Sequence, residues 1–130
     1  MPGITIAEAA RQTGISAHTL RYYERIGLLD RVARDGDRRR FDADDLARVE
    51  FLRCLRATGM PIRRMREYVD LVRQGSTTND DRRRMLEDHR DTVLAEIDQL
   101  HRELAVINRK IDMYHAPTGN GGPKPWRPPR

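Results

Sequence analysis

Between Asp80 and Tyr114 the chain has no glycine or proline, and Val93, Ile97, Leu100, Leu104, Ile107, Ile111 and Tyr114 follow one another at intervals of 4, 3, 4, 3, 4 and 3. That spacing is a heptad seam, and it predicts one long helix over 80–114 with an apolar stripe along one side. Leu86 lies in the same register upstream, with Arg90 interrupting the seam between Leu86 and Val93. A stripe this long on a chain of 130 residues must be buried against something. Two coverings are open: the rest of the same chain, or the same helix of a second copy. The second is preferred.

The residues before the seam read as one small helical domain. Charged residues make up 35% of the chain against 38% hydrophobic, so the core is modest and the helices carry polar outer faces. Thr5 and Glu8 form a capping-box pattern ahead of a helix ending at Gly14, and Ser16 caps a second helix that stops at Gly27. Two short helices around Gly14-Ile15 have helix-turn-helix proportions. Asp35-Gly36 is a favoured hairpin turn and predicts a small wing, although Arg38, Arg39 and Arg40 are poor strand residues. Asp42 caps a third helix that ends at Gly59, and Pro61, in a first-turn position, opens a fourth that runs to Gly75. The resulting organisation is mainly α. It comprises a winged helix-turn-helix head at 1–75, a polar linker at 76–79, a coiled-coil helix at 80–114 and a basic Pro/Gly tail at 115–130, read as disordered and carrying Trp126.

The net charge of +5 is unevenly placed: residues 1–75 hold 15 Lys/Arg against 11 Asp/Glu, while residues 76–114 hold 7 against 9. A basic head suits a polyanion, since neutralising phosphates releases counterions. The lone Cys54 excludes an internal disulfide and points to a reducing compartment. With no signal-peptide pattern at the start and no apolar run near the roughly 20 residues a membrane span needs, the chain is assigned to the cytoplasm. No nucleophile–base pair, phosphate-binding glycine loop or metal-ligand cluster is present, and His18, His89, His101 and His115 show no pairing on one helix face. The reading is therefore of a protein that is not an enzyme and takes no cofactor or metal.

In a helix-turn-helix the second helix enters the major groove of double-stranded DNA. Its first turns offer Ser16, His18, Thr19, Arg21, Tyr22 and Tyr23. Arg21 has the geometry to pair with guanine or hold a phosphate, and Tyr22 suits a backbone contact. Tyr23 shares a spacing with Leu20 and Ile26 and is assigned to the core. Arg38, Arg39 and Arg40 on the wing, and Arg63 and Arg64 in the first turn after Pro61, are further candidates for phosphate contacts.

Taken together, the segment I-T-I-A-E-A-A-R-Q-T-G-I-S-A-H-T-L-R-Y-Y-E-R-I-G-L-L, then D-R-R-R-F, then G-M-P-I, then the heptad helix resembles the MerR family of bacterial transcription regulators over residues 3 to about 114. T-L-R-Y-Y-E-x-x-G-L is the most specific element. The resemblance implies a homodimer joined by antiparallel long helices on a near-palindromic operator. It also implies that the bound protein bends and untwists an overlong promoter spacer, acting on RNA polymerase through the DNA. Arg21 and Tyr22 match recognition-helix contacts and Arg39 matches the wing arginine. The family wing reads G-Y-R-x-Y, and here Asp37, Arg38 and Phe41 depart from it, which puts hydroxyl contacts at 38 and 41 in question. A coiled-coil protein that binds nucleic acid without sequence preference, or an effector-independent repressor of the same fold, are the alternatives.

Drug-sensing relatives of that family carry a large domain after the long helix, for which the 16 residues after Tyr114 leave no room. Thiol-based metal sensors place a cysteine where Asn79 and Asp80 stand here. Cys54 has two open readings. Ala47, Phe51 and Cys54 at i, i+4 and i+7 predict a buried cysteine acting as a small hydrophobe. The resemblance to an aldehyde- and electrophile-stress subgroup with a lone cysteine in this helix implies a reactive sensor thiol, with Arg53 and Arg56 favouring the thiolate.

Overall fold

The computed structural model describes residues 3–30, 34–35, 38–115, 126 and 129, with the backbone alone at 34, 35, 38 and 39. The chain is mainly helical: α1 (Ile6–Thr13), α2 (Ala17–Arg25), strands β1 (Arg34–Asp35) and β2 (Arg38–Arg39), α3 (Ala43–Ala57), α4 (Ile62–Arg73), a 3-10 turn (Ser76–Thr78) and α5 (Asn79–His115). It divides into two compact units, Met1–His89 and Arg90–Arg130.

Local chemistry sets the helix ends of the first unit. The Thr5 hydroxyl accepts from the Glu8 amide at 3.2 Å, starting α1. The expected capping box is only half made, because the Glu8 carboxylate turns away to the Arg11 guanidinium and to Gln12. The full reciprocal box lies at α3, where the Asp42 carboxylate accepts from the Asp45 amide at 2.8 Å and Asp45 accepts from the Asp42 amide at 3.0 Å. Pro61 is the N-cap of α4 and Ile62 its first residue, so the proline sits one position earlier than its sequence reading. Gly14 and Gly27 close α1 and the turn after α2 with φ of 75° and 85°, a left-handed backbone that favours glycine.

The core gathers Leu20 and Tyr23 from α2, Val49, Leu52 and Leu55 from α3, Met65 from α4, and Leu28, Leu29, Phe41 and Met60 from the connections. Each large apolar side chain enclosed there contributes about 1.5–3 kcal/mol relative to exposure. The wing is a short antiparallel ladder in which Arg34 pairs with Arg39 and Asp35 with Arg38. Asp35 is therefore a strand residue rather than part of the turn, and positions 36 and 37 lie outside the described residues. Beyond β2, Ile4 and Phe41 exchange both backbone hydrogen bonds at 2.8 Å, which fastens the N-terminal segment to the wing. Gly3 passes so close that an added Cβ would lie 2.4 Å from the Phe41 carbonyl oxygen.

Of the residues 76–79 read as a polar linker, 76–78 are a built corner and Asn79 already opens α5. The Thr78 side chain is buried, its hydroxyl reaches the carbonyls of Leu71 and Gly75, and Arg82 donates to that hydroxyl at 3.1 Å. The first unit therefore runs past residue 79 into the opening turns of α5, where Leu86 packs against the core. α5 is one helix of 37 residues, and none of them is fully buried. In the second unit Ile97, Leu100, Leu104, Ile107, Ile111 and Tyr114 are exposed. The disorder read for the tail falls mostly outside the described residues; His115 is helical and Trp126 is exposed.

Candidate nucleic-acid interface

The turn between α1 and α2 delivers the second helix with a capped, polar end. The Ser16 hydroxyl accepts from the Thr19 amide at 3.1 Å and donates to the Thr19 hydroxyl oxygen at 3.0 Å. Ser16 thereby builds the helix start, with one acceptor lone pair of its hydroxyl still open. The Thr19 hydroxyl, which accepts from Ser16, keeps its own proton to donate outward. His18 and Arg21 are exposed on the same helix.

The two tyrosines separate as their spacing predicts. Tyr23 is buried with 5% exposure, and burial raises its phenol above the ordinary tyrosine value. Tyr22 is 37% exposed, and the Arg25 guanidinium lies 5.6 Å from its ring centroid. This cation–π contact holds a second positive charge next to Arg21 and Tyr22. Arg25 is not among the residues the sequence singles out, because it lies in the last turn of α2 and not in the first turns. The signal was the i, i+3 spacing between an outward tyrosine and an arginine.

The other candidates divide. The side chains of Arg38 and Arg39 lie outside what the structure describes, although the backbone of both is in β2. Arg40 is half-buried, and its Nη1 donates to the Gly3 carbonyl at 3.5 Å, tying the wing to the N-terminal segment. Phe41 is 1% exposed and so belongs to the core. On α4, Arg63 is exposed, whereas Arg64 is half-buried and paired with Glu67. Among the described residues no side chain caps this helix; the Arg64 and Met65 amides both reach the Pro61 carbonyl, and an uncapped helix start is a place where backbone amides can hold an anion such as a phosphate. Asp30 fixes α3 and α4 against the loop after α2, with one carboxylate oxygen accepting from Arg73 at 2.8 Å and the other from Arg48 at 3.2 Å.

Cys54 corrects the buried reading. The core face of α3 is Val49, Leu52 and Leu55, while Ala47, Phe51 and Cys54 are exposed. Nor do the neighbouring guanidiniums serve the thiol directly: Arg53 pairs with Glu50 at 3.2 Å, and Arg56 donates to the Met60 carbonyl at 3.4 Å. Among the described residues, no cluster of His, Cys, Asp and Glu is fit to hold a metal, and no helix is long and apolar enough to cross a membrane.

Comparison with known proteins identifies this arrangement. The family model for the MerR HTH family regulatory protein matches residues 4–71, and the model described as MerR, DNA binding matches residues 46–111. The chain is 39% identical over 92 residues to the HTH-type transcriptional regulator AdhR of Bacillus subtilis, covering 70% of this chain and 66% of that protein. It is 35% identical over 121 residues to an HTH-type transcriptional regulator of Haemophilus influenzae, covering 92% and 90%. Among solved structures, it superposes with a TM-score of 0.80 at 35% identity on HiNmlR, a MerR family regulator lacking the sensor domain, bound to promoter DNA, covering 88% of this chain and 91% of that one.

Proposed function

Since the chain belongs to the MerR family and is a DNA-binding transcription regulator, we propose that it acts in the cytoplasm as a homodimer on a near-palindromic operator within a promoter. The observation that carries this reading is the outward face of α2, where Thr19, Arg21, Tyr22 and Arg25 stand together on a capped helix, in a fold that matches a relative bound to promoter DNA. Arg21 reads base edges, while Thr19, Tyr22 and Arg25 hold backbone phosphates. His18 lies within reach of the same groove. Arg38 and Arg39 of the wing, and Arg63 with the open start of α4, add phosphate contacts on either side of it.

The uncovered stripe of α5 supports pairing with a second copy, through Val93, Ile97, Leu100, Leu104, Ile107, Ile111 and Tyr114. Two heads fixed at a set separation distort the DNA between their half-sites, and the cost of bending is offset by the additional contacts. The dimer thereby brings an overlong promoter spacer into a form RNA polymerase can use, acting on the polymerase through the DNA. Footprinting upstream of the gene and its neighbours, followed by competition with random DNA at fixed salt, tests the reading. A protected palindrome in a long spacer, with a specificity ratio of about 10³ or more, is the expected result. Equal affinity for random DNA would leave only a non-specific binder.

A specific observation also favours a thiol response: the Cys54 side chain is open to solvent. Its alkylation by an electrophile would change the surface of α3 and so bias the DNA-bound form. Transcription from the operator with and without formaldehyde or methylglyoxal, compared between the parent and Cys54→Ala, tests it. An unchanged response in the variant removes the thiol from the mechanism and leaves an effector-independent regulator.

A further inference from the structure

We propose that the cavity between α3 and α4 is a binding site for a small aromatic carboxylate, held by the Arg48 guanidinium at its mouth. The site lies within the first unit and shares no residue with the outward face of α2. It is independent of both the dimer and the thiol readings above.

The cavity has a volume of about 220 Å³. Leu28 and Leu52, both buried, close its inner end, and Phe51, Tyr68, Val69 and Val72 form its walls. The Phe51 and Tyr68 rings stand 5.6 Å apart and tilted by 53°, an arrangement in which aromatic rings attract one another. Phe51 and Val72 are nevertheless exposed, so part of this apolar lining faces water until something covers it. An engineered apolar cavity of about 150 Å³ takes up benzene, and drug-sized ligands need about 300–1,000 Å³. The volume here lies between the two and suits one ring with a short substituent.

The charges at the mouth select the substituent. Arg48, Arg73 and Asp30 line it, which leaves one positive charge in excess. Both oxygens of the Asp30 carboxylate are engaged: one accepts from Nε and Nη2 of Arg73 at 3.1 and 2.8 Å, the other from Nη1 of Arg48 at 3.2 Å. A cationic ligand would have to compete with two guanidiniums for it. Arg73 lies in addition 3.7 Å from Asp70. Among the described residues Arg48 makes only the Asp30 contact, so its Nε and Nη2 are uncommitted. Those two donors form one edge of the guanidinium, and such an edge takes a carboxylate through two parallel N–H···O bonds. Apolar walls beside an uncommitted guanidinium edge call for an anion with an apolar body; phosphate, with no such body, would leave the walls wet. The bound ligand joins α3, α4 and the connection that follows α2, the same three parts that Asp30 ties together.

Titration of the full chain with phenylacetate, followed by amide chemical shifts and by melting temperature, tests the site. Saturable binding is expected with a Kd below about 1 mM, for a ligand of about ten non-hydrogen atoms. The shifts centre on Phe51, Tyr68 and Val72, and the melting temperature rises with ligand concentration. Neutral phenylacetamide and cationic phenethylamine bind at least about tenfold more weakly, and Arg48→Gln weakens phenylacetate by the same factor while leaving phenylacetamide unchanged. Val72→Trp, at an exposed position, fills the cavity and abolishes binding. The proposal is overturned if the parent shows no saturable binding, if Val72→Trp binds like the parent, or if phenylacetamide or phenethylamine binds as tightly as phenylacetate. Shifts confined to the arginines of α2 and α4 mark non-specific anion binding and overturn it as well. A changed oligomeric state of Val72→Trp by light scattering assigns this face to a second copy of the chain, and that too overturns the ligand site.

Discussion

The Thr58 hydroxyl lies 2.8 Å from Nε2 of His89 and 2.7 Å from the carbonyl oxygen of Cys54, joining the end of α3 to the third turn of α5. The Leu55 carbonyl lies 3.2 Å from the same hydroxyl, and carbonyls can only accept, so the hydroxyl proton is assigned to this pair of carbonyls and Nε2 to donation toward Thr58. This assignment places a proton on Nε2 of His89. Thr58→Val, which keeps the shape and removes the acceptor, leaves that N–H without its partner and costs about 1–2 kcal/mol. Thermal melts measure the loss, and imidazole ¹⁵N shifts of the parent protein check the tautomer. An Nδ1-protonated ring would contradict the assignment.

Because Cys54 is exposed on α3, it reacts with a thiol reagent in the native protein at a rate close to that of the unfolded chain. Cys54→Ala changes stability by less than about 0.5 kcal/mol. Leu55→Ala, one residue along but buried at 3% exposure, costs about 2–5 kcal/mol. The contrast between adjacent positions is the check, read from denaturant midpoints and from labelling kinetics.

That contrast also marks what pattern alone could not resolve. Helix α3 carries two neighbouring apolar stripes, Ala47–Phe51–Cys54 and Val49–Leu52–Leu55, and helical periodicity fits both. The second wins because Val49, Leu52 and Leu55 join one core cluster with Leu20 and Met65, a property of packing that appears only once the elements meet. The ends of α1 and α2, the inward Tyr23, the outward Tyr22 and the long helix are legible, since each depends on a cap, a glycine or a period within a few residues. The corner at Thr78 and the inward turn of Arg40 are not, because their partners are respectively up to seven residues upstream, at Leu71, and 37 residues away, at Gly3. Arg25 was within reach of a rule on i, i+3 neighbours.

Gly3→Ala tests the fastening of the N-terminal segment. The new methyl meets the Phe41 backbone, which cannot step aside without breaking the paired hydrogen bonds of Ile4 and Phe41. A loss of about 1–3 kcal/mol is expected. Faster hydrogen exchange at the Ile4 and Phe41 amides would locate the damage.

Alkaline pH should find the buried phenol. Burial lifts Tyr23 above the ordinary tyrosine value, so its contribution to stability is whole below the unfolded value of about 10 and is lost as pH rises through the folded one. Tyr23→Phe removes this term. Between pH about 9 and about 11 its melting temperature falls less steeply than that of the parent, and equal slopes would show that the phenol does not contribute.

The pairing of Arg25 with Tyr22 makes the last prediction the most informative about DNA reading. If Arg21 meets base edges and Arg25, held over the Tyr22 ring, meets a phosphate, the two arginines differ in kind. Arg21→Ala costs about 1–3 kcal/mol on the operator and relaxes preference at one or two base pairs. Arg25→Ala weakens operator and random DNA alike and lowers the slope of log affinity against log salt by about 1. Tyr22→Phe keeps the ring under Arg25 and loses only the hydroxyl, so it falls between the parent and Arg25→Ala, whereas Tyr22→Ala releases the guanidinium and matches or exceeds the arginine loss. Fluorescence anisotropy over a salt series, with operator and scrambled duplexes side by side, separates these outcomes. A base-specific loss from Arg25→Ala would move that arginine from the backbone into the groove.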